Sequence, residues 1–191
     1  MYMKALAIQE VALGKDHPGT AATYHSIAMI YDKVMGKYKE ALELYMKVLA
    51  IAEVVYGKKH PAIATSYYEI GLVHFKTGKF KEALEMLMKA VAIAEVEFGK
   101  DHPDTALTYY WIGLTLEKIG SIEDALSYLN KCLSIQAKVF GEDDRMTEGV
   151  RKEIERIIDG EQVGLGLYFR LGLAVGLALV VGVALRRKNR G

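Results

Sequence analysis

One phrase recurs along this chain at a fixed interval. It reads Gly14-Lys15-Asp16-His17-Pro18, then Gly57-Lys58-Lys59-His60-Pro61, then Gly99-Lys100-Asp101-His102-Pro103. A degenerate copy follows as Gly141-Glu142-Asp143-Asp144-Arg145. The glycines are 43, 42 and 42 positions apart. A period of this size means stacked supersecondary units, because one such unit cannot bury its apolar face alone.

The residues between the copies say what each unit is. Pro18, Pro61 and Pro103 suit the first position of a helix, where a missing N–H costs nothing. Asp16 and Asp101 stand just ahead, near the positive end of the helix dipole. In the second unit, Ala64, Tyr67, Ile70, Gly71 and His74 form a helical stripe that stops at Thr77-Gly78. Gly36 and Gly120 hold the same place in the other units, and the extra residue of the longer unit falls just before Gly36. A second helix is predicted over 80–98, with Phe80, Leu84, Leu87, Val91, Ala94 and Phe98 on one face and Lys81, Glu82 and Glu85 off it.

Each unit is therefore a helix–turn–helix pair, and the units are predicted at 18–60, 61–102 and 103–142. Residues 1–17 form a half-repeat helix, since Tyr2 to Ile8 aligns with Tyr45 to Ile51 and with Leu87 to Ile93. This half-unit is either an N-terminal cap or the sign of a chain that begins inside a repeat. Residues 143–160 are predicted as a capping helix, with Met146, Val150, Ile154, Ile157 and Ile158 on one side.

Charge and composition exclude several functions. Up to residue 162 the chain carries 20 basic and 24 acidic groups, and a nucleic-acid binder needs a basic stripe instead. The single Cys132 forbids an intrachain disulfide and fits a reducing compartment. Residues 1–10 do not have the layout of a secretory signal. His17, His60 and His102 recur once per repeat, so they cannot converge on one Zn²⁺, whose ligands each lie about 2.0–2.1 Å from the metal. Their place indicates a role at helix starts. Gly164-Leu165-Gly166 sits in an apolar run with no preceding strand, unlike a nucleotide loop. No catalytic constellation is present in the sequence, and no cofactor or metal is expected.

The composition changes at Val163. Residues 163–185 are apolar except for Arg170, and as a helix would span roughly 34 Å against a hydrocarbon core of about 30 Å. Arg170 lies near one end, where it can snorkel beside Tyr168 and Phe169. A single transmembrane helix is predicted here, followed by a basic tail at 186–191, in the layout of a tail anchor with the repeats facing the cytosol. The short, glycine-rich span favours the mitochondrial outer membrane or the peroxisome over the endoplasmic reticulum. Gly172, Ala174, Gly176, Ala178 and Gly182 stand at helix-packing spacing and could support a homodimer.

The repeat itself resembles the tetratricopeptide repeat family. The residues that carry the likeness are Tyr24, Ile27-Ala28, Tyr31, Ala41, Tyr45 and Val48; then Tyr67, Ile70-Gly71, His74, Ala83, Leu87 and Ala90; then Tyr109, Ile112-Gly113, Leu116, Ala125, Leu129 and Cys132. The long period and the run Gly-Lys-Tyr/Phe-Lys-Glu-Ala-Leu are similar to the kinesin light chain subgroup. The resemblance implies an all-α, right-handed helix–turn–helix solenoid of about three full repeats plus half-repeats, ahead of the predicted transmembrane helix. Paired asparagines read the cargo backbone in that subgroup. Their places here hold His25-Ser26, Tyr68-Glu69 and Tyr110-Trp111. The Lys, Asn and Arg of a chaperone-type carboxylate clamp are also replaced, by His25, Met29, Glu69, Leu107 and Trp111.

In this family the first helices line the groove. The resemblance then places His25, Tyr68, Tyr110 and Trp111 on that face with Met29, Leu72 and Leu114, then Asp32, Phe75 and Glu117, and an edge of Lys33, Lys76 and Lys118. Met29, Leu72 and Leu114 are equally readable as packing between repeats. The expected function is non-catalytic: a groove for a peptide with apolar anchors and some acidic residues, recruited to a membrane. The alternatives are a soluble, kinesin-light-chain-like cargo adaptor and a regulatory subunit of an enzyme on another chain.

Overall fold

The computed structural model describes residues 2–160. The predicted membrane helix 163–185, its packing residues and the basic tail lie outside the described residues. Two compact units are distinguished, Met1–Val150 and Arg151–Gly191. Among the described residues every regular element is a helix, and none is long and apolar enough to cross a membrane.

The first unit runs α1 (Tyr2–Ala12), α2 (Pro18–Lys33), α3 (Tyr38–Tyr56), α4 (Pro61–Lys76), α5 (Phe80–Glu97), α6 (Pro103–Ile119) and α7 (Ile122–Phe140). An eighth helix, α8, spans 145–160 and crosses the boundary between the units. Each helix from α1 to α6 packs on the next, and α4 also touches α6. The helix pairs α2–α3, α4–α5 and α6–α7 fall within the ranges 18–60, 61–102 and 103–142.

The recurring phrase is a loop and a helix cap. Its prolines open α2, α4 and α6. Its histidines are the N-caps: Nδ1 of His17, His60 and His102 accepts the N–H of Gly19, Ala62 and Asp104 at 3.0, 3.2 and 3.1 Å. A neutral imidazole thus satisfies one of the donors a helix start leaves open, a duty usually met by Ser, Thr, Asp or Asn. The rings of His60 and His102 also stack on Tyr56 and Phe98, with centroids 4.4 and 5.0 Å apart. The predicted helix-start role of the histidines is therefore a specific one, that of N-cap acceptor.

The paired helices interlock through one small and one large residue. Ala28 meets Ala41 and Tyr45 in one buried cluster. In the next repeats the small residue is glycine. A Cβ on Gly71 would stand 2.8 Å from Leu87 Cγ, and one on Gly113 would stand 2.7 Å from Leu129 Cγ. Leu87 and Leu129 are fully buried, so the helices sit closer than an alanine permits.

Three details depart from the sequence reading. Helix α5 ends at Glu97, and Phe98 leaves the predicted stripe, half-exposed against the His102 ring. Ala83 and Ala90, outside the predicted stripe, are almost fully buried. Helix α4 buries Ile63, Ser66, Leu72 and Val73 beyond its predicted stripe, because α3, α5 and α6 all pack on it. In α8, Val150, Ile154 and Ile157 are buried, whereas Met146 and Ile158, predicted on the same side, are exposed.

Candidate functional site

A pattern repeated across the unit holds neighbouring helices in register. Tyr24 Oη donates to Glu10 Oε1 at 2.5 Å, Tyr67 to Glu53 at 3.2 Å and Tyr109 to Glu95 at 2.6 Å. Over the same rings lie Lys47, Lys89 and Lys131, their Nζ atoms 5.3, 5.6 and 5.5 Å from the centroids. Burial and the partner Glu10 push the Tyr24 hydroxyl up to about 12. Each triad draws its acid from one repeat and its tyrosine and lysine from the next pair of helices. The sequence reading missed it, although the three residue types recur in phase.

The residues that the resemblance assigns to the groove lie on α2, α4 and α6. Between α2 and α4 that face is closed by charge. Lys76 Nζ reaches both oxygens of Asp32, at 2.7 and 2.6 Å, and the Asp32 side chain is 0% exposed. Lys33 Nζ donates to Glu69 Oε1 at 3.3 Å. Two members of the predicted lysine edge are therefore bound to acids of the same face. Lys118 Nζ lies 3.5 Å from its neighbour Glu117. His25 is half-buried, with its edge against the Tyr45 ring at 5.6 Å. Burial pushes the His25 imidazole below its ordinary range, and the nearby Glu69 charge opposes that shift.

Between α4 and α6 the face is aromatic. Phe75 meets Trp111 edge-on with centroids 5.3 Å apart, and Phe80 at 5.5 Å. Tyr110 lies 5.7 Å from Trp111, nearly perpendicular to it. The Tyr68 hydroxyl lies near the Trp111 indole, and its pKa is raised, first by burial and then by Glu69. Tyr68, Phe75, Tyr110 and Trp111 are all half-buried. Edge-to-face packing of this kind fixes ring orientation beyond the effect of burial alone. Leu72 and Leu114 are 6% and 8% exposed and belong to the packing, as does Met29, which lies against the Ala28 cluster.

Beside the aromatic seat lies a cleft of about 210 Å³ between α4, α5 and α6. Tyr68, Glu69 and Asp104 line it together with Ala64, Ala90 and Leu107. No group of three or more metal-ligating side chains occurs among the described residues. Cys132 is buried and free, and desolvation pushes its thiol up to about 12, which leaves it an inert core residue.

Comparison with known proteins agrees with this architecture. The family described as tetratricopeptide repeat matches residues 33–95 and 64–138. No curated protein matches the chain. Among solved structures, nearly identical TPR-like repeats of a kinesin light chain from Podosopora anserina superpose with a TM-score of 0.71 at 25% identity, covering 84% of this chain and 76% of that one. BtubC (BKLC) from P. vanneervenii gives 0.66 at 19% identity, with 84% and 69% covered. The N-terminal domain of stress-induced protein-1 from C. elegans gives 0.55 at 18%, with 73% and 95% covered. These likenesses speak for the fold. The repeat match covers more than half of the sequence, and the chain belongs to the tetratricopeptide repeat family.

Proposed function

We propose that this chain is a non-catalytic adaptor whose α4–α6 face seats an extended or helical peptide through apolar anchors. One observation carries this reading. Four half-buried aromatic side chains converge across two repeats, while the neighbouring α2–α4 face is closed by internal ion pairs. Aromatic residues of this kind dominate binding surfaces, and grooves between helices are a recurring mode of peptide capture. Repeats of this family generally bind protein or peptide partners. The test is a random peptide array probed with the wild-type chain and with Tyr68→Ala/Tyr110→Ala. The double variant is expected to lose most of the bound signal with its helical content intact; an unchanged pattern sinks the groove.

We further propose that residues 163–185 hold the adaptor on a cytosol-facing membrane, with the mitochondrial outer membrane or the peroxisome preferred. The support is the apolar run and its basic flank. Residues 160–191 behind a fluorescent protein should light the rim of one organelle. A diffuse signal favours the second reading, a soluble cargo adaptor similar in kind to the kinesin light chain neighbour.

A further inference from the structure

We propose that the cleft between α4, α5 and α6 is a subsite for an arginine side chain of the bound peptide. This rests on the groove reading above and names part of what the groove accepts. The cleft holds about 210 Å³, the scale of one long side chain. Its apolar walls are Ala64, Ala90, Ala94, Phe98 and Leu107, suited to the methylene stem of a long cationic residue. Its polar lining holds two carboxylates, Glu69 and Asp104, beside the Tyr68 hydroxyl. Glu69 is 7% exposed; Lys33 occupies its Oε1, and its Oε2 is buried with no hydrogen-bond partner. Asp104 supplies a second carboxylate, on a side chain 70% exposed.

The two threonines of the cleft add oxygen without a proton to give. Thr65 Oγ1 already donates to the Pro61 carbonyl and Thr108 Oγ1 to the Asp104 carbonyl. No lysine, arginine or histidine lines the space. The raised pKa of Tyr68 reflects the same field, since Glu69 and Asp104 both contribute to it after burial. A buried carboxylate oxygen with no partner is costly, and a guanidinium can satisfy two carboxylates at once because its donors form a planar fork. A metal ion fits less well: two carboxylates do not make a coordination sphere, and the apolar walls offer it nothing.

The experiment uses the full chain and two synthetic peptides, acetyl-Ala-Ala-Arg-Ala-Ala-amide and its citrulline counterpart, compared by isothermal titration. Citrulline keeps the shape and removes the charge. The arginine peptide should bind at least about tenfold more tightly, the scale of one hydrogen bond between charged groups. Asp104→Asn should erode that preference severalfold, and Glu69→Gln with Asp104→Asn should abolish it. Asp104 is exposed, so its variant retains the fold even where Glu69→Gln disturbs Lys33. Equal binding of the two peptides, or a preference untouched by Asp104→Asn, overturns the proposal. Failure of the groove is read separately. If Phe75→Ala/Trp111→Ala leaves the array signal unchanged while the arginine preference persists, the aromatic seat is wrong and the cleft stands. If the aromatic variant loses the signal while arginine and citrulline bind alike, the cleft is wrong and the groove stands.

Discussion

Replacing Gly71 by alanine sets two effects of known sign against each other. Alanine gains about 1 kcal/mol over glycine in a helix interior. The new Cβ, however, lands 2.8 Å from Leu87 Cγ and 3.0 Å from its Cδ2, and 3.4 Å from the Ala83 carbonyl. Leu87 is fully buried and its branch carbon has nowhere to go. Overpacking of that kind costs about 1–3 kcal/mol. The contact is with a branch carbon and not a flexible tip, so the cost belongs in the upper part of that range. Gly71→Ala should therefore destabilise by about 1–2 kcal/mol despite its better helix propensity. Leu87→Ala alone should cost about 2–5 kcal/mol through the cavity it leaves. In the double variant the clash is gone and the added methyl occupies part of that cavity. The two changes should then couple favourably by about 1–3 kcal/mol. Urea unfolding of the four proteins measures this. Gly149 supplies the control: it is helical, nothing would lie within 4 Å of its Cβ, and Gly149→Ala should stabilise by up to about 1 kcal/mol. A Gly71→Ala variant as stable as the Gly149→Ala one, with effects additive to within about 0.5 kcal/mol, would refute the close-approach account.

Three further outcomes follow from the same geometry. Lys76→Met strands the Asp32 carboxylate, which is 0% exposed, and should cost about 3 kcal/mol in urea unfolding. Adding Asp32→Asn should recover most of it, whereas no recovery means the pair is not what holds that site. Tyr109→Phe removes the hydroxyl that bonds Glu95 at 2.6 Å and should cost about 1 kcal/mol, with Glu95→Gln adding little on top. Burial lowers the pKa of His25 and His74, so the folded state favours their neutral forms. Their contribution to stability is complete above the unfolded value of about 6.5 and is lost as pH falls below it. The melting temperature should drop from pH 7 toward pH 5, and His25→Gln should flatten that drop; an unchanged slope in the variant contradicts the assignment.

Much of the fold was legible because the sequence repeats. The period gave the repeat, the prolines marked the helix starts, and Gly71, Leu87, Gly113 and Leu129 stood among the in-phase positions that carry the family resemblance. What stayed hidden has physical reasons. Periodicity assigns one apolar stripe to a helix, but α4 is packed by neighbours on several sides and buries Ile63, Ser66 and Val73 as well. The N-cap role of His60 was obscured because imidazole is an uncommon capping acceptor. At the site, the family resemblance assigned His25, Tyr68, Tyr110 and the lysines to one face but could not show which charges pair. Lys33 and Lys76 are committed to Glu69 and Asp32, residues one repeat away. The result is a face divided into a closed ionic half and an open aromatic half. The edge contact between Phe75 and Trp111 depends on side-chain direction, which register alone leaves open.

The central claim is that the α4–α6 face is where a peptide sits. Hydrogen exchange of the full chain, free and saturated with the strongest peptide from the array, tests it most directly. The account predicts slowed exchange concentrated in 61–76 and 103–119, with little change in 38–56 and 122–140. Protection concentrated in those latter helices instead would contradict it.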